Sequence, residues 1–185
     1  MEENIKDTIV NTTFRLLEKK DMNSISIREI TKEANVNVAA INYYFGGKAE
    51  LFAYMMELYW NDLVELCEDI LNDENLDKSK ARLYCERYIR KEIESTGILR
   101  SEQIMYQNYS IDEKTKQRIE LQYKAMRKLI TKCNPDIDES KIIIEITSLL
   151  SSLTHPALWN EMIDSIAGNR EKFITEYVDY LVEKL

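Results

Sequence analysis

The stretch SIREITKEANVNVAAINYYFGGK, residues 26–48, decides the fold of this chain. Ser26 and Glu29 have the spacing of a capping box, in which each side chain accepts a hydrogen bond from the other residue's backbone N–H at a helix start. Asn35 stands where the chain must turn, and asparagine tolerates the left-handed backbone that such a turn requires. Asn37 can cap a second helix. The stretch therefore predicts a helix-turn-helix, the motif that sets one helix into the major groove of DNA.

The second helix of this motif has an inward side and an outward side. Ile41 and Phe45, one turn apart, are predicted to face inward. The outward side keeps small, amide and aromatic side chains: Val38, Ala39, Ala40, Asn42, Tyr43 and Tyr44. Short capped helices occur in any helical protein. The small outward start, the tyrosine pair and the Gly46-Gly47-Lys48 turn together favour a DNA-binding helix over that alternative.

At these residues the chain resembles the TetR family of bacterial transcriptional regulators. The resemblance covers about the first 55 residues and rests on order and spacing: Ile9 and Leu16-Leu17, Ser26-Ile-Arg-Glu-Ile, Ala34-Asn-Val-Asn, and Tyr43-Tyr-Phe-Gly-Gly-Lys-Ala-Glu-Leu-Phe52. Where the family usually has glycine, after the first helix and in the turn, this chain has Asp21 and Asn35, and both can adopt left-handed backbone. The family often has tyrosine at the position of Asn42, where asparagine could reach a phosphate or a base edge.

The resemblance implies which residues contact the DNA backbone. Tyr43, Tyr44 and Lys48 match the family's phosphate-anchoring positions. Ser26, at a helix N-terminus, suits a phosphate because the free backbone N–H groups there attract anions. Arg28 could bond a phosphate or the edge of a guanine. The alternative for Arg28 and Lys48 is a solvated surface charge.

The resemblance also implies that bases are read at Asn37, Val38, Ala39 and Ala40. Valine and alanine can pack on thymine methyl groups but cannot form bidentate hydrogen bonds. Specificity must then come partly from the polar side chains of this region, and partly from DNA shape. Those side chains are Asn37, Asn42 and Arg28.

Composition agrees with a helical regulator. The chain has 185 residues, 44% of them hydrophobic, with four Gly and two Pro, and helical patterns cover nearly all of it. The net charge is −8, yet residues 1–50 hold seven Lys or Arg against eight Asp or Glu, so most of the acid lies further on. A near-neutral N-terminal part cannot bind DNA strongly by charge alone. We expect a few placed contacts per subunit and two subunits acting together.

Cysteine and histidine usage excludes several other classes. Cys67, Cys85 and Cys133 are widely spaced and form no CxxC pair, and His155 is the single histidine. The sequence therefore predicts no metal site, no cofactor and reduced, buried thiols, as in cytosolic proteins. The N-terminus is acidic without an apolar run, and no stretch approaches the roughly 20 apolar residues that span a bilayer. A cytoplasmic protein without a membrane partner is expected.

Periodicity predicts an all-α fold of about nine helices, the number that the resemblance also implies. Beyond the helix-turn-helix, they lie at about 5–19, 48–71, 78–95, 98–109, 112–133, 138–167 and 170–184, with breaks near Thr96-Gly97 and Asn134-Pro135. We expect an N-terminal three-helix DNA-binding domain over 1–47. An effector-binding and dimerisation domain is expected over 48–185.

The last two predicted helices indicate a homodimer. From Ile142 to Leu153 apolar residues point in nearly all directions, so both sides of this helix must be covered. A two-fold four-helix bundle supplies the missing cover, with an interface at Leu149, Ser152, Tyr177 and Leu181. The alternative is a core helix covered within one chain. Pro156 removes a helical hydrogen bond near Ser152, so a kink is expected there.

An effector chamber is expected within the helices between these ends. Its candidate lining residues are Trp60, Tyr84, Tyr88, Met105, Tyr106, Tyr109, Tyr123 and Trp159. Tyrosine and methionine suit an adaptable pocket for an apolar or aromatic small molecule. Glu102 or Glu145 inside it would favour a cationic one. The alternative for the aromatic residues is ordinary core.

Together these features predict a ligand-responsive transcriptional repressor that binds a palindromic operator as a dimer and is released by an effector. A helical interaction module whose helix-turn-helix no longer reads DNA remains the alternative. An enzyme is not expected, because the sequence has neither a nucleophile with its base and orienting group nor a glycine-rich phosphate loop.

Overall fold

The structure, a computed structural model, describes residues 4–101 and 112–185, and the regular elements in those ranges are helices. In chain order they are α1 (Ile5–Leu17), α2 (Ile27–Glu33), α3 (Val38–Phe45), α4 (Lys48–Asn72), α5 (Lys78–Glu94), α6 (Glu113–Cys133), a 3₁₀ turn (Glu139–Lys141), α7 (Ile142–Leu158), α8 (Asn160–Ala167) and α9 (Arg170–Lys184). Residues 96–101 are helical as well. The predicted all-α fold is confirmed. The candidate residues Glu102, Met105, Tyr106 and Tyr109 lie outside the described ranges.

The described residues divide into two compact units. The first contains residues 4–61 and 94–101, and the second contains 62–93 and 112–185. Helix α4 begins in the first unit and ends in the second. The sequence prediction of a domain boundary at residue 47 assigned all of α4 to the second domain, whereas α4 belongs to the first unit as far as Asn61.

The core of the first unit is aliphatic and comes from every early helix. Ile9 and Leu17 of α1, Ile30 of α2, Ile41 of α3 and Leu51 of α4 are all at most 1% exposed. Burying each such side chain contributes about 1.5–3 kcal/mol. Short helices such as α2 and α3 are marginal alone, so this shared core is what fixes them.

The close approach of Gly97 to α1 also fixes this unit. A Cβ at Gly97 would lie 1.8 Å from the carbonyl oxygen of Leu17, so only glycine lets the two backbones meet. The sequence predicted a helix break at Thr96-Gly97, and the structure has that break one residue earlier. The helical pattern is interrupted at Ser95, and Gly97 lies inside a helical segment, where it is needed for packing.

The second unit has its own core and a rim of ion pairs. Leu63, Ile89, Met126, Leu153 and Val178 are at most 1% exposed. At the rim, Arg90 donates to Glu86 and to Glu171, both at 2.8 Å, and Arg82 pairs with Asp179. Such exposed pairs contribute little each, so the apolar core carries most of the stability.

The three thiols of the second unit are free. Cys67 and Cys85 are buried, and burial raises the pKa of each thiol to about 12. Cys133 is half-buried and its pKa is also raised by burial. The predicted burial is therefore confirmed for Cys67 and Cys85 and holds only in part for Cys133.

The region 138–167, predicted as one helix kinked at Pro156, is two helices. The helices α7 and α8 meet at an angle of 80°, and the break is at Trp159, whose backbone (φ −117°, ψ 22°) leaves the helical region. Pro156 lies inside α7 and has no N–H to donate to the carbonyl of Ser152. That carbonyl instead accepts a hydrogen bond from the Tyr177 hydroxyl at 3.0 Å. Because that acceptor is satisfied, α7 passes through the proline without ending.

No single helix within the two described ranges is long and apolar enough to cross a membrane, although α7 with its 3₁₀ turn and α8 together meet that criterion as a bent pair.

Candidate DNA-binding face

Helix α2 starts in the way that the sequence predicted. The Ser26 hydroxyl accepts a hydrogen bond from the Glu29 backbone N–H at 3.1 Å. The Glu29 carboxylate pairs with the Lys20 ammonium, and this bond, with a further one from the Ser26 backbone N–H, lowers the pKa of Glu29. The capping box is therefore reciprocal, and Lys20 joins it from the segment after α1.

The turn between α2 and α3 is a Schellman motif centred on Asn35. Asn35 has φ 51°, and the Val36 N–H donates to the Thr31 carbonyl at 3.0 Å while the Asn35 N–H donates to Lys32 at 3.3 Å. These bonds satisfy the last carbonyls of α2 and set the angle at which α3 leaves. The left-handed backbone predicted for Asn35 is confirmed.

Asp21 works differently from its predicted role. Among the residues that the structure describes, Asn35 is the one non-glycine with positive φ, so Asp21 does not adopt the left-handed backbone. Its carboxylate instead accepts hydrogen bonds from the Ser24 hydroxyl at 2.8 Å and from the N–H groups of Ser24 and Asn23. The bond from the Ser24 side chain is the largest cause that lowers the pKa of Asp21. A side-chain turn thus replaces the glycine turn.

Helix α3 is capped at both ends. The Asn37 side-chain oxygen accepts a hydrogen bond from the Ala39 N–H at 2.9 Å, as predicted, and Gly46, at φ 93°, ends the helix. Ile41 is fully buried, which turns the opposite side of α3 outward. The backbone of this helix is therefore fixed before any ligand arrives.

The outward side of α3 presents the side chains that the sequence named. Tyr43 is 83% exposed and Val38 is 44% exposed, and Ala39 and Asn42 are exposed as well. Ala40 and Tyr44 are half-buried, and the Tyr44 ring meets the Tyr43 ring edge-on at 4.9 Å. This contact holds the two tyrosines on the same part of the surface.

Two basic side chains flank this surface. Arg28, on the first turn of α2, is exposed. Lys48 begins α4, and its ammonium donates to the Asn23 carbonyl at 3.4 Å and lies 5.5 Å from the centre of the Phe52 ring. Lys48 is therefore held in a defined direction, which suits a single charged contact such as a phosphate.

Lys6 is a residue that sequence reasoning missed. Its ammonium lies 4.1 Å from the centre of the Tyr54 ring and 5.8 Å from that of Phe45, and the two rings are 5.6 Å apart. This cluster joins α1, the end of α3 and α4. No local pattern could reveal it, because Lys6 is remote in sequence from Phe45 and Tyr54.

Most of the candidate effector residues that the structure describes are buried or have a hydroxyl that already forms a hydrogen bond within the chain. Trp60 belongs to the first unit and is buried. In the second unit, the Tyr84 hydroxyl bonds the Asp73 carboxylate at 3.1 Å, and the Tyr88 hydroxyl accepts a bond from Gln122 at 3.2 Å. Tyr123 is half-buried and Trp159 is half-exposed.

Of the two acidic candidates, the structure describes Glu145, and it does not lie among the candidate aromatic residues that are described. Glu145 is exposed and lines a surface cleft of about 320 Å³, together with Lys141 and Lys184, and none of the four tyrosine and tryptophan candidates that the second unit's described residues include (Tyr84, Tyr88, Tyr123 and Trp159) lines it. Among the described residues, the buried carboxylate is that of Glu92, at 1% exposure, one helical turn after the effector candidate Tyr88 on α5. Its burial could not be predicted from the sequence, because Glu92 has the local surroundings of an ordinary helix-surface glutamate.

The candidate dimer residues are partly internal. Leu149 and Leu181 are 4% and 9% exposed within their own unit, and Ser152 and Tyr177 are half-buried and share a hydrogen bond. The exposed apolar side chains of the same region are others: Ile143, Ile144, Trp159, Met162, Ile166 and Tyr180.

Comparison with known sequences points to one class of protein. A sequence model of the family described as bacterial regulatory proteins, tetR family, matches residues 9–55. The chain is similar to the probable HTH-type transcriptional regulator YttP of Bacillus subtilis (strain 168), with 30% identity over 83 residues. That region is 45% of this chain and 40% of YttP, so the match spans about two fifths of the curated relative.

Solved structures share the fold over nearly the whole chain. A TetR transcriptional regulator from Legionella pneumophila has a TM-score of 0.70 and 19% identity, with all of both chains covered. The transcriptional regulator FadR from Bacillus subtilis, solved in complex with stearoyl-CoA, has a TM-score of 0.57 and 12% identity over 96% of this chain and 98% of that one. At these identities the likeness shows the fold alone.

Proposed function

Because this chain belongs to the TetR family of bacterial transcriptional regulators, we propose that it is a ligand-responsive repressor that binds a palindromic operator as a homodimer. The single observation that carries the proposal is α3, a helix capped at both ends whose outward side is exposed and uncharged. A fixed helix with small residues at its start can enter the major groove without reorganising.

The contacts fall into two groups. Tyr43, Tyr44, Lys48 and the Ser26 hydroxyl hold phosphates, and this role is supported by the exposure of Tyr43 and by the fixed direction of the Lys48 ammonium. Asn37, Val38, Ala39, Ala40 and Asn42 face the bases, with Arg28 at the edge of this set. Phosphate contacts position the protein, and base contacts give specificity.

The homodimer is supported by the apolar surface of α7 and α8. Ile144 is 67% exposed and Ile166 is 77% exposed, and the small side chains of Ser148 and Ser151 beside Ile144 would let a second helix come close. We propose that these outer residues, with Ser152 and Tyr177 behind them, meet a second copy. Leu149 and Leu181 then act as the packing that holds α7 and α9 in place.

The effector is proposed to be an apolar or aromatic small molecule. The support is the set of tyrosines of the second unit, Tyr84, Tyr88 and Tyr123, and the fold likeness to a regulator solved with stearoyl-CoA. Its binding would shift α4, the helix that leaves the helix-turn-helix, and so change the spacing of the two α3 helices.

A gel-shift assay against the DNA upstream of the chain's own gene tests the proposal. Tyr43→Ala should weaken binding to all sequences alike, since it removes a phosphate contact. Asn37→Ala should change which operator is preferred, but it also removes a helix cap worth about 1 kcal/mol. Asn37→Ser is the matched control, because serine keeps the cap and lacks the amide.

The alternative function, a helical interaction module, predicts a different result in the same assay. A chain that is folded by circular dichroism and shifts no upstream DNA at any concentration tested would favour the module. Equal affinity of Tyr43→Ala and the unmodified chain would show that α3 is not the DNA-binding face.

A further inference from the structure

We infer that α3 reads A·T base pairs, with Val38 and Ala39 on thymine methyl groups and Asn42 on the edge of an adenine. This inference rests on the proposed function and specifies its partner, an operator whose half-site has an A·T core. It is supported by the side chains on the outward side of α3 and by the hydrogen bond that the Asn37 side chain already accepts as the helix cap.

The outward side of α3 lacks every side chain that reads a G·C pair by charge. Helix α3 has the sequence VAAINYYF, with no arginine, lysine, aspartate or glutamate. In the major groove, guanine is typically read by arginine or lysine, and cytosine by an acidic side chain. The thymine methyl is the apolar group on a base edge in that groove, and apolar side chains contact it.

Val38 and Ala39 are placed to make such contacts. They are the first two residues of α3, and the N-terminal residues of a recognition helix are the ones that reach base edges. Val38 is 44% exposed although it is apolar, and Ala39 is exposed as well. The bond from the Ala39 N–H to the Asn37 side chain fixes this first turn.

Asn37 and Asn42 differ in which side-chain hydrogen-bonding groups remain available to a base. The side-chain oxygen of Asn37 accepts the cap bond at 2.9 Å, so Asn37 cannot use that oxygen fully for a bidentate contact. Asn42 lies four residues after Val38, on the same side of the helix, and it is exposed. Asparagine reads adenine by bonding its N6 and N7 atoms together. Both kinds of contact therefore select the same base pair.

The two nearby basic side chains, Lys48 and Arg28, do not change the A·T core predicted for the half-site. Lys48 is directed by the Asn23 carbonyl and the Phe52 ring, as suits a phosphate. Arg28 lies on α2, outside the α3 surface, so a guanine that it reads would stand beside the A·T core and not within it.

Selection from a random pool of DNA duplexes with the full chain, followed by base substitution, tests the inference. The enriched half-site should have an A·T core. Replacing a contacted thymine by deoxyuridine removes the methyl group and keeps the base pair, and it should weaken binding about three- to tenfold. Deoxyuridine at non-contacted thymines should have no effect and is the internal control. Val38→Ala, which shortens the apolar side chain, should reduce the deoxyuridine effect at one position of each half-site and leave the others unchanged.

The outcomes separate the inference from the proposed function. No enriched sequence with a folded chain would contradict the proposed function itself. An enriched palindrome with a G·C core would leave the repressor standing and overturn the A·T readout. An A·T core whose affinity is unchanged by deoxyuridine at every thymine would overturn methyl contact in favour of readout of DNA shape.

Discussion

At the scale of single residues, Asp73 shows how one carboxylate organises the segment that follows a long helix. It stands just after α4 and accepts hydrogen bonds from the Lys80 ammonium at 2.6 Å, the Asn75 N–H at 3.0 Å and the Tyr84 hydroxyl at 3.1 Å. The Lys80 bond is the largest cause that lowers the pKa of Asp73. A carboxylate with three donors is stabilised in its charged form.

A pH-dependent contribution to stability follows from Asp73. Because its folded pKa is below the unfolded value of about 3.9, the contribution is present above pH 4 and is lost as the pH falls through the folded pKa. We expect the urea midpoint of unfolding to fall between pH 5 and pH 3, and to fall less in Asp73→Asn. Glu74→Gln, a change at the exposed neighbour, is the control. An identical pH profile for Asp73→Asn and the unmodified chain would contradict this role.

Residue-scale chemistry was the most predictable part of the molecule when it was local. The caps at Ser26 and Asn37 and the left-handed Asn35 each depend on neighbours within three or four positions, and all three were predicted correctly. Asp21 was not, because an aspartate can either adopt left-handed backbone or accept bonds from the next turn. The sequence alone does not decide between the two.

At the scale of the helix, α7 is held by a bond from α9. The Tyr177 hydroxyl donates to the Ser152 carbonyl, which Pro156 leaves without its helical donor. The Tyr177 ring also stacks on Phe173 at 5.3 Å. The contact joins residues 25 positions apart, so the sequence predicted the proline defect but not its repair. Without knowledge of this bond, the sequence predicted the bend at Pro156, whereas the structure has it at Trp159.

A double-mutant cycle tests this repair. Tyr177→Phe keeps the stacked ring and removes the donor, and we expect it to cost about 1–2 kcal/mol, since it leaves the Ser152 carbonyl unsatisfied. Pro156→Ala restores a backbone N–H to that carbonyl, so Tyr177→Phe should cost clearly less in the Pro156→Ala background. Denaturant unfolding of the four chains measures both numbers. Additive effects would show that the two residues do not share the Ser152 acceptor.

At the scale of the whole molecule, the N-terminal DNA-binding residues could be predicted from the sequence better than the effector and dimer residues that follow them. The helix-turn-helix and the helix bounds near it follow from local patterns. The effector and dimer residues depend on which side of each helix is covered by distant residues. Leu149 and Leu181 look like interface residues in an apolar repeat, yet they are buried within their own unit.

Charge reversal at the outer apolar surface tests the dimer. We expect Ile144→Glu and Ile166→Glu to yield folded monomers in sedimentation equilibrium, because each puts a charge into the proposed contact with a second copy. Leu83→Glu, at an exposed leucine of α5, is the matched control and should leave the assembly unchanged. Leu149→Glu should instead unfold the second unit, since it buries an unpaired charge. Dimers retained by both isoleucine variants would reject this surface as the interface.

The most direct test of the account is the native mass of the full chain bound to its selected palindromic duplex, compared with a duplex that carries one half-site. We predict two chains on the palindrome, and an affinity for the single half-site that is lower by at least about tenfold, since one α3 then loses its contacts. One chain on the palindrome, bound no more tightly than on the half-site, would contradict the account.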